Sequence, residues 1–142
     1  MTKLAVVDLG STAVRFLLAR LRPGSGYRVL AQERVPTRLG GGTPGTLPRD
    51  AIDATLRAAR RFLARYSSRR RGARVIAVAT SAVRDAHNRE LLLNPLRRDE
   101  GIDVRILSAR EVMVFGGYLT LVVCTRGVRD GILLNEALDG HP

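Results

Sequence analysis

Two Val/Leu-rich runs, residues 3–9 and 13–20, are separated by nothing more than Gly10-Ser11-Thr12, and this spacing constrains the fold more than any other feature of the chain. Parallel strands need a crossover of a dozen or more residues, so two runs joined this tightly form an antiparallel hairpin. Asp8 ends the first run, where its carboxylate can hold Mg²⁺ directly or through water, or orient an attacking water. The amides of Gly10, Ser11 and Thr12 can form an anion-binding nest, with the Ser11 and Thr12 hydroxyls as further donors. The same residues also describe an ordinary tight turn with Asp8 bonded to its own backbone.

The rest of the chain extends the hairpin into a layered α/β plan. After Pro23-Gly24-Ser25-Gly26, the run from Tyr27 to Val35 predicts a third antiparallel strand. Thr37 to Pro48 holds four glycines and two prolines and reads as a loop, with Gly40-Gly41-Gly42 a flexible connector, and Pro48 and Asp50 suit the start of a helix. From Ala51 to Tyr66, the apolar residues Ile52, Leu56, Ala59, Leu63 and Tyr66 recur at helical spacing, while Arg57, Arg61 and Arg65 line another face. Val75 to Thr80 reads as a buried strand, about Ala86 to Arg98 as a helix, Ile102 to Leu107 as a strand and Ala109 to Tyr118 as a third helix. The order βββαβαβα describes a mixed sheet covered by helices, the plan of a single ribonuclease-H-like lobe. Residues 1–120 would form that lobe and residues 121–142 a closing strand, turn and short helix packed on it.

Composition narrows the partners. At 142 residues the chain fits one domain, and with three Phe, three Tyr and no Trp its core must be mainly aliphatic. The formal charge of +11 comes from 24 basic against 13 acidic residues, nearly all the basic ones being Arg, which favours polyanionic partners. Cys124 is the only cysteine, which excludes a disulfide framework and a cysteine metal site. Asp8 interrupts the first apolar run before it reaches the length of a secretory core, and no run is long enough to span a bilayer, so a cytoplasmic location is expected.

Candidate anion ligands follow from position. Arg84, past the buried strand and near a helix start, is the first choice for a charge-assisted phosphate contact, and Arg38, in the loop that can fold toward the hairpin, is the second. Arg15 is as compatible with a surface role as with ligand binding. His87 lacks a partner carboxylate or cysteine and reads as an exposed histidine. Arg57, Arg60, Arg61, Arg65 and Arg69-Arg70-Arg71 make a basic patch, read first as a solvated face and second as a polyanion track.

The hairpin together with Thr37-Arg38-Leu39-Gly40, the segment Ala79 to Asn88 (ATSAVRDAHN), Ile106 to Glu111, and the closing run RGVRDGILLNEA resembles the exopolyphosphatase / guanosine pentaphosphate phosphohydrolase (Ppx/GppA) family. The hairpin alone would suit any member of the wider actin-like ATPase, hexokinase and sugar-kinase group; ATSAVRDAHN is more specific. The resemblance implies Mg²⁺-dependent hydrolysis of terminal phosphoanhydrides in inorganic polyphosphate or guanosine pentaphosphate. It assigns Asp8 to metal and catalysis, and Gly10, Ser11, Thr12, Arg38 and Arg84 to phosphate.

Three departures temper that implication. The family's second lobe opens with a DIGGGS-like turn, which this sequence lacks; by the resemblance, the chain passes from about Tyr118 almost directly to the closing segment. In the family's S-G-x-E-E-A motif the second glutamate looks like the base, but here Glu111 matches the first and Val112 takes the base position, leaving Glu111 as the one catalytic carboxylate candidate in that motif or a first-turn acid stabilised by the helix dipole. The family's asparagine in the hairpin is Thr12. Reduced or absent activity is therefore expected of this chain alone, with pairing to a second lobe or a homodimer completing the cleft. The alternatives are a non-catalytic polyphosphate- or nucleotide-binding or dimerising module and a degenerate or internally deleted remnant whose exposed lobe face favours dimerisation; generic nucleic-acid binding, resting on charge alone, ranks last.

Overall fold

The computed structural model describes residues 2–22 and 26–111. In chain order the elements are β1 (Lys3–Leu9), β2 (Ala13–Arg22), β3 (Gly26–Pro36), α1 (Arg49–Arg65), β4 (Ala73–Ala79), α2 (Ser81–Arg84), α3 (Glu90–Glu100) and β5 (Val104–Ile106). They build one sheet of order β3-β2-β1-β4-β5. The first three strands form the antiparallel meander, and β4 and β5 then run parallel to β1 through helical crossovers. Register places Leu9 beside Ala79 and Ala79 beside Ile106, so all three parallel strands end at one edge. In open α/β sheets that carboxyl edge is where ligands bind.

The core lies between the sheet and the helices. Ala5, Val7 and Leu9 on β1 and Val14, Phe16 and Leu18 on β2 face α1, which contributes Ile52, Ala59, Phe62 and Leu63. Three of the described aromatics meet here: Phe16 stacks on Phe62 at 5.5 Å and on Tyr66 at 5.0 Å between ring centroids. Leu4, Val6, Leu17, Ala19 and Val78 are buried on the opposite face. No helix among the described residues is long and apolar enough to cross a membrane.

Much of the basic patch on α1 is tied down internally. Arg60 bonds Asp99 at 3.0 Å and Glu100 at 2.8 Å on α3, while Arg61 and Arg65 meet Glu33 of β3 at 3.1 and 3.0 Å. Glu33 also accepts a 2.5 Å hydrogen bond from the Tyr66 hydroxyl, which chiefly holds its carboxyl below the ordinary glutamate value, with Arg65 and Arg61 adding to the effect against partial desolvation. Because the folded pKa is the lower one, this cluster stabilises the protein at pH values above the ordinary glutamate pKa, and the contribution disappears as the pH falls through the depressed one. Glu33→Gln is expected to lower the thermal midpoint at neutral pH, with the gap to wild type closing below that window in melts followed by circular dichroism.

The helix expected over about Ala86 to Arg98 is α3, which starts four residues later at Glu90, and a separate short helix, α2, precedes it. α2 ends at Arg84, a turn follows, and α3 begins only at Glu90. The intervening residues are recruited by the glycine loop. Asn88 accepts a hydrogen bond from the Leu47 amide at 2.9 Å and donates one to the Leu47 carbonyl at 3.0 Å, while the His87 amide donates to the Gly45 carbonyl at 2.9 Å. The side-chain amide of Asn88 mimics a strand partner, and a continuous helix could not present it that way. The strand expected over Ile102 to Leu107 is the shorter β5. A helical turn starts at Ala109 as expected, but the remainder of the third helix, and the closing segment over 121–142, lie outside the described residues.

Candidate functional site

The turn after β1 sits at the carboxyl edge of the sheet and is locked by its neighbours. Gly10 donates to the Ala13 carbonyl at 3.1 Å, and a Cβ at Gly10 would lie 2.8 Å from that same oxygen, so glycine is required there. The Thr12 carbonyl accepts from the amides of Thr37 and Arg38, each at 3.1 Å, and the Ser11 carbonyl from Gly40 at 2.8 Å. The loop that starts at Thr37 therefore lies on the hairpin. Among the described residues the Ser11 and Thr12 amides make no backbone hydrogen bond, whereas the Gly10 amide is committed within the turn. The nest read from three amides thus reduces to two, supplemented by two hydroxyls.

The glycine loop is a wall rather than a flexible connector. Leu39, Gly40 and Gly42 through Leu47 close with Ser11, Ser81, Ala82 and Asp85 around a cleft of about 370 Å³. Across it the hydroxyls of Ser11 and Ser81 approach to 3.4 Å. In sequence the loop reads as a connector and Ser81 has no role of its own within ATSAVRDAHN; the signal that finds Ser81 is the position of Thr80-Ser81 directly after a parallel strand, at the edge where ligands bind. Asn88→Ala is expected to cost about 1–3 kcal/mol through the two lost hydrogen bonds and to speed amide exchange at Leu47 and His87, measurable by hydrogen-exchange NMR.

Asp8 is 3% exposed at the end of β1. Its register partner across the hairpin is Arg15, whose guanidinium lies 3.7 Å from the carboxylate, so the hairpin balances the acid it buries. Arg38 holds a left-handed backbone, φ 56°, unusual for a residue with a side chain, and its side chain is exposed. Arg84 donates to the Leu107 carbonyl at 3.1 Å and to Asp85 at 3.0 Å, strapping α2 to the end of β5. Neither arginine lines the cleft, whose described wall carries one carboxylate, Asp85, and no basic side chain. His87 is exposed.

Glu111 belongs to a helix cap. The Ser108 amide donates to its carboxylate at 2.9 Å, the Glu111 amide donates to the Ser108 hydroxyl at 3.1 Å, and Arg105 bonds the other carboxylate oxygen. This reciprocal capping box lowers the pKa of Glu111, first through the Ser108 amide and then through Arg105, away from the near-neutral range that suits a general base.

No group of three or more His, Cys, Asp or Glu side chains that could cage a metal occurs among the described residues. The donors at the turn are one buried carboxylate and two hydroxyls. Such hard oxygens fit Mg²⁺ in its usual mode, bound through one carboxylate and sharing its remaining ligands with water and substrate phosphates.

A five-stranded 3-2-1-4-5 sheet with a Gly-Ser-Thr turn at its carboxyl edge defines a lobe of the ribonuclease-H-like, actin-like ATPase class. Residues 17–113 match the Ppx/GppA phosphatase family, and the chain belongs to that family. It is similar to the Ppx/GppA enzyme of Aquifex aeolicus, with 26% identity and a TM-score of 0.71 over 80% of this chain and 38% of that one. An exopolyphosphatase from Cytophaga hutchinsonii superposes with a TM-score of 0.74 at 24% identity, covering 84% of this chain and 39% of the other, and shows the same fold. The fold extends to RuvC of Thermus thermophilus bound to a Holliday junction substrate, with a TM-score of 0.50 and 14% identity over 96% of this chain and 91% of that one. No match was found among curated proteins. The chain spans about two-fifths of the length of the Ppx/GppA structures it resembles.

Proposed function

We propose that this chain is the phosphate-gripping lobe of a Ppx/GppA-type phosphatase, acting on the terminal phosphoanhydride of inorganic polyphosphate or a guanosine pentaphosphate. The observation that carries the reading is the carboxyl edge of the sheet, where Ser11 and Ser81 line the cleft with their hydroxyls 3.4 Å apart and buried Asp8 and the Thr12 amide belong to the turn beside it. Water attacking the terminal phosphorus in line breaks its bond to the bridging oxygen and releases orthophosphate. In that step Ser11 and Thr12 hold the phosphoryl oxygens through amides and hydroxyls, and Asp8 orients the water or holds the cation. Mg²⁺, when bound, supplies neutralisation of phosphate charge, which suits a cleft whose described wall has no basic side chain.

A phosphoryl group must be clamped from several sides for fast transfer. One lobe clamps from one side, and Glu111 is engaged in its cap, so slow turnover is the expectation for this chain alone, rising when a second lobe or a second copy faces the cleft. The capping box favours the second reading, a lobe that binds phosphate without turning it over. Phosphate release from long-chain polyphosphate, followed with and without Mg²⁺, separates the two. Metal-dependent release supports the hydrolase, and binding without release supports the module.

A further inference from the structure

We propose that the end of the sheet opposite the cleft is a docking surface for the trailing part of a linear inorganic polyphosphate chain. Lys3, Arg20 and Arg28 are register partners across β1, β2 and β3, so the three cations stand in one row on one face of the sheet. Neighbouring strands lie about 4.8 Å apart, which fixes the spacing of the row. Like charges directly opposite one another are destabilising, and none of the three is bonded to a carboxylate among the described residues. The acids that meet α1 on this side of the sheet are already engaged: Glu33 by Arg61, Arg65 and Tyr66, and Asp99 and Glu100 by Arg60. Lys3 Nζ instead donates to the Arg69 carbonyl at 3.0 Å, which draws the turn carrying exposed Arg69 and Arg71 alongside the row.

The chemistry of the surface selects its partner. Guanidinium and ammonium groups recognise phosphate oxygens by charge and hydrogen bonding. Among the described residues, Phe16, Phe62 and Tyr66 are buried between the sheet and α1 and Tyr27 packs on the opposite face, so none of these offers the row a platform on which a base could stack. A polymer of phosphate without bases fits it better than a nucleic acid. β1 separates the row from the Gly10 turn by roughly 20 Å, so a ligand that engages both ends must be a long chain rather than a mononucleotide. The identity of the polymer rests on the proposed function; the cationic row does not.

The test is equilibrium binding of long-chain polyphosphate and of tripolyphosphate across a salt series, comparing wild type with Arg20→Gln/Arg28→Gln. Long-chain affinity is expected to fall on the order of tenfold at low salt, with the slope of log K against log salt shallower by about 1.4. Tripolyphosphate binding should stay unchanged. The thermal midpoint should rise as repulsion is relieved, an outcome that separates lost binding from lost folding. Unchanged long-chain affinity and slope overturn the proposal. Competition by single-stranded DNA as effective as polyphosphate at equal charge overturns the choice of partner. Because binding is the readout, a failure to release phosphate bears on the proposed function alone.

Discussion

Phe16→Ala is expected to destabilise the protein by about 3–5 kcal/mol, the range for deleting a fully buried aromatic ring. Phe16 is 0% exposed at the centre of β2 and stacks on both Phe62 and Tyr66, so its removal empties the joint between the sheet and α1. The loss should spread, because Tyr66 also carries the hydrogen bond that holds Glu33. Single domains are commonly stable by only about 5–15 kcal/mol, so this variant should approach the threshold of unfolding at 37 °C. Urea denaturation measures the shift; Phe16→Leu, which refills most of the volume, should recover more than half of it. A midpoint unchanged in Phe16→Ala would mean that the aromatic stack is not the centre of the core.

Asp8→Asn is expected to reduce Mg²⁺-dependent phosphate release at least about 100-fold, the usual scale for removing one preorganised electrostatic group from a site. The substitution is nearly isosteric and removes the charge that would hold the cation or orient water. Arg15, 3.7 Å away with a side chain 38% exposed, can turn to solvent when its partner is neutralised, so the fold should survive. Turnover and thermal midpoint measured on the same preparations separate the two effects. Equal release by wild type and variant would remove Asp8 from the mechanism.

The sheet was legible in the sequence because its strands obey local rules. The hairpin follows from apolar runs flanking a short Gly-containing turn, and α1 from a clean 3.6-residue period whose apolar positions are buried in the same core as Phe16. What local patterns could not show was tertiary competition. Ala86 to Arg98 has helical composition, yet Asn88 and His87 serve the glycine loop through bonds to Leu47 and Gly45, and the helix starts only at Glu90. These bonds, with that of the Gly40 amide to the Ser11 carbonyl, hold the loop from Leu39 to Leu47 as a cleft wall, although in sequence its glycines read as a connector.

The site was legible in part for the same reason. Asp8, Ser11 and Thr12 announce themselves by spacing, whereas Ser81 gains its place only when β4 is laid parallel to β1. Arg84 carries the right charge near the right edge, but its reach to the Leu107 carbonyl depends on β5, more than twenty residues on. Glu111 illustrates the converse. The Ser-x-x-Glu spacing of a capping box is visible in the sequence at Ser108 and Glu111, and the structure uses it as one.

The most direct measurement is backbone amide NMR of the ¹⁵N-labelled protein titrated with tripolyphosphate and Mg²⁺. The largest shifts are expected at Ser11 and Thr12, with smaller ones at Gly40 and Ser81, and they should vanish in Asp8→Asn when Mg²⁺ is required for binding. Shifts confined to the Arg20, Arg28 and Arg69 region, with the amides of the Gly10 turn unmoved, would contradict the claim that the carboxyl edge of the sheet is where this protein grips phosphate.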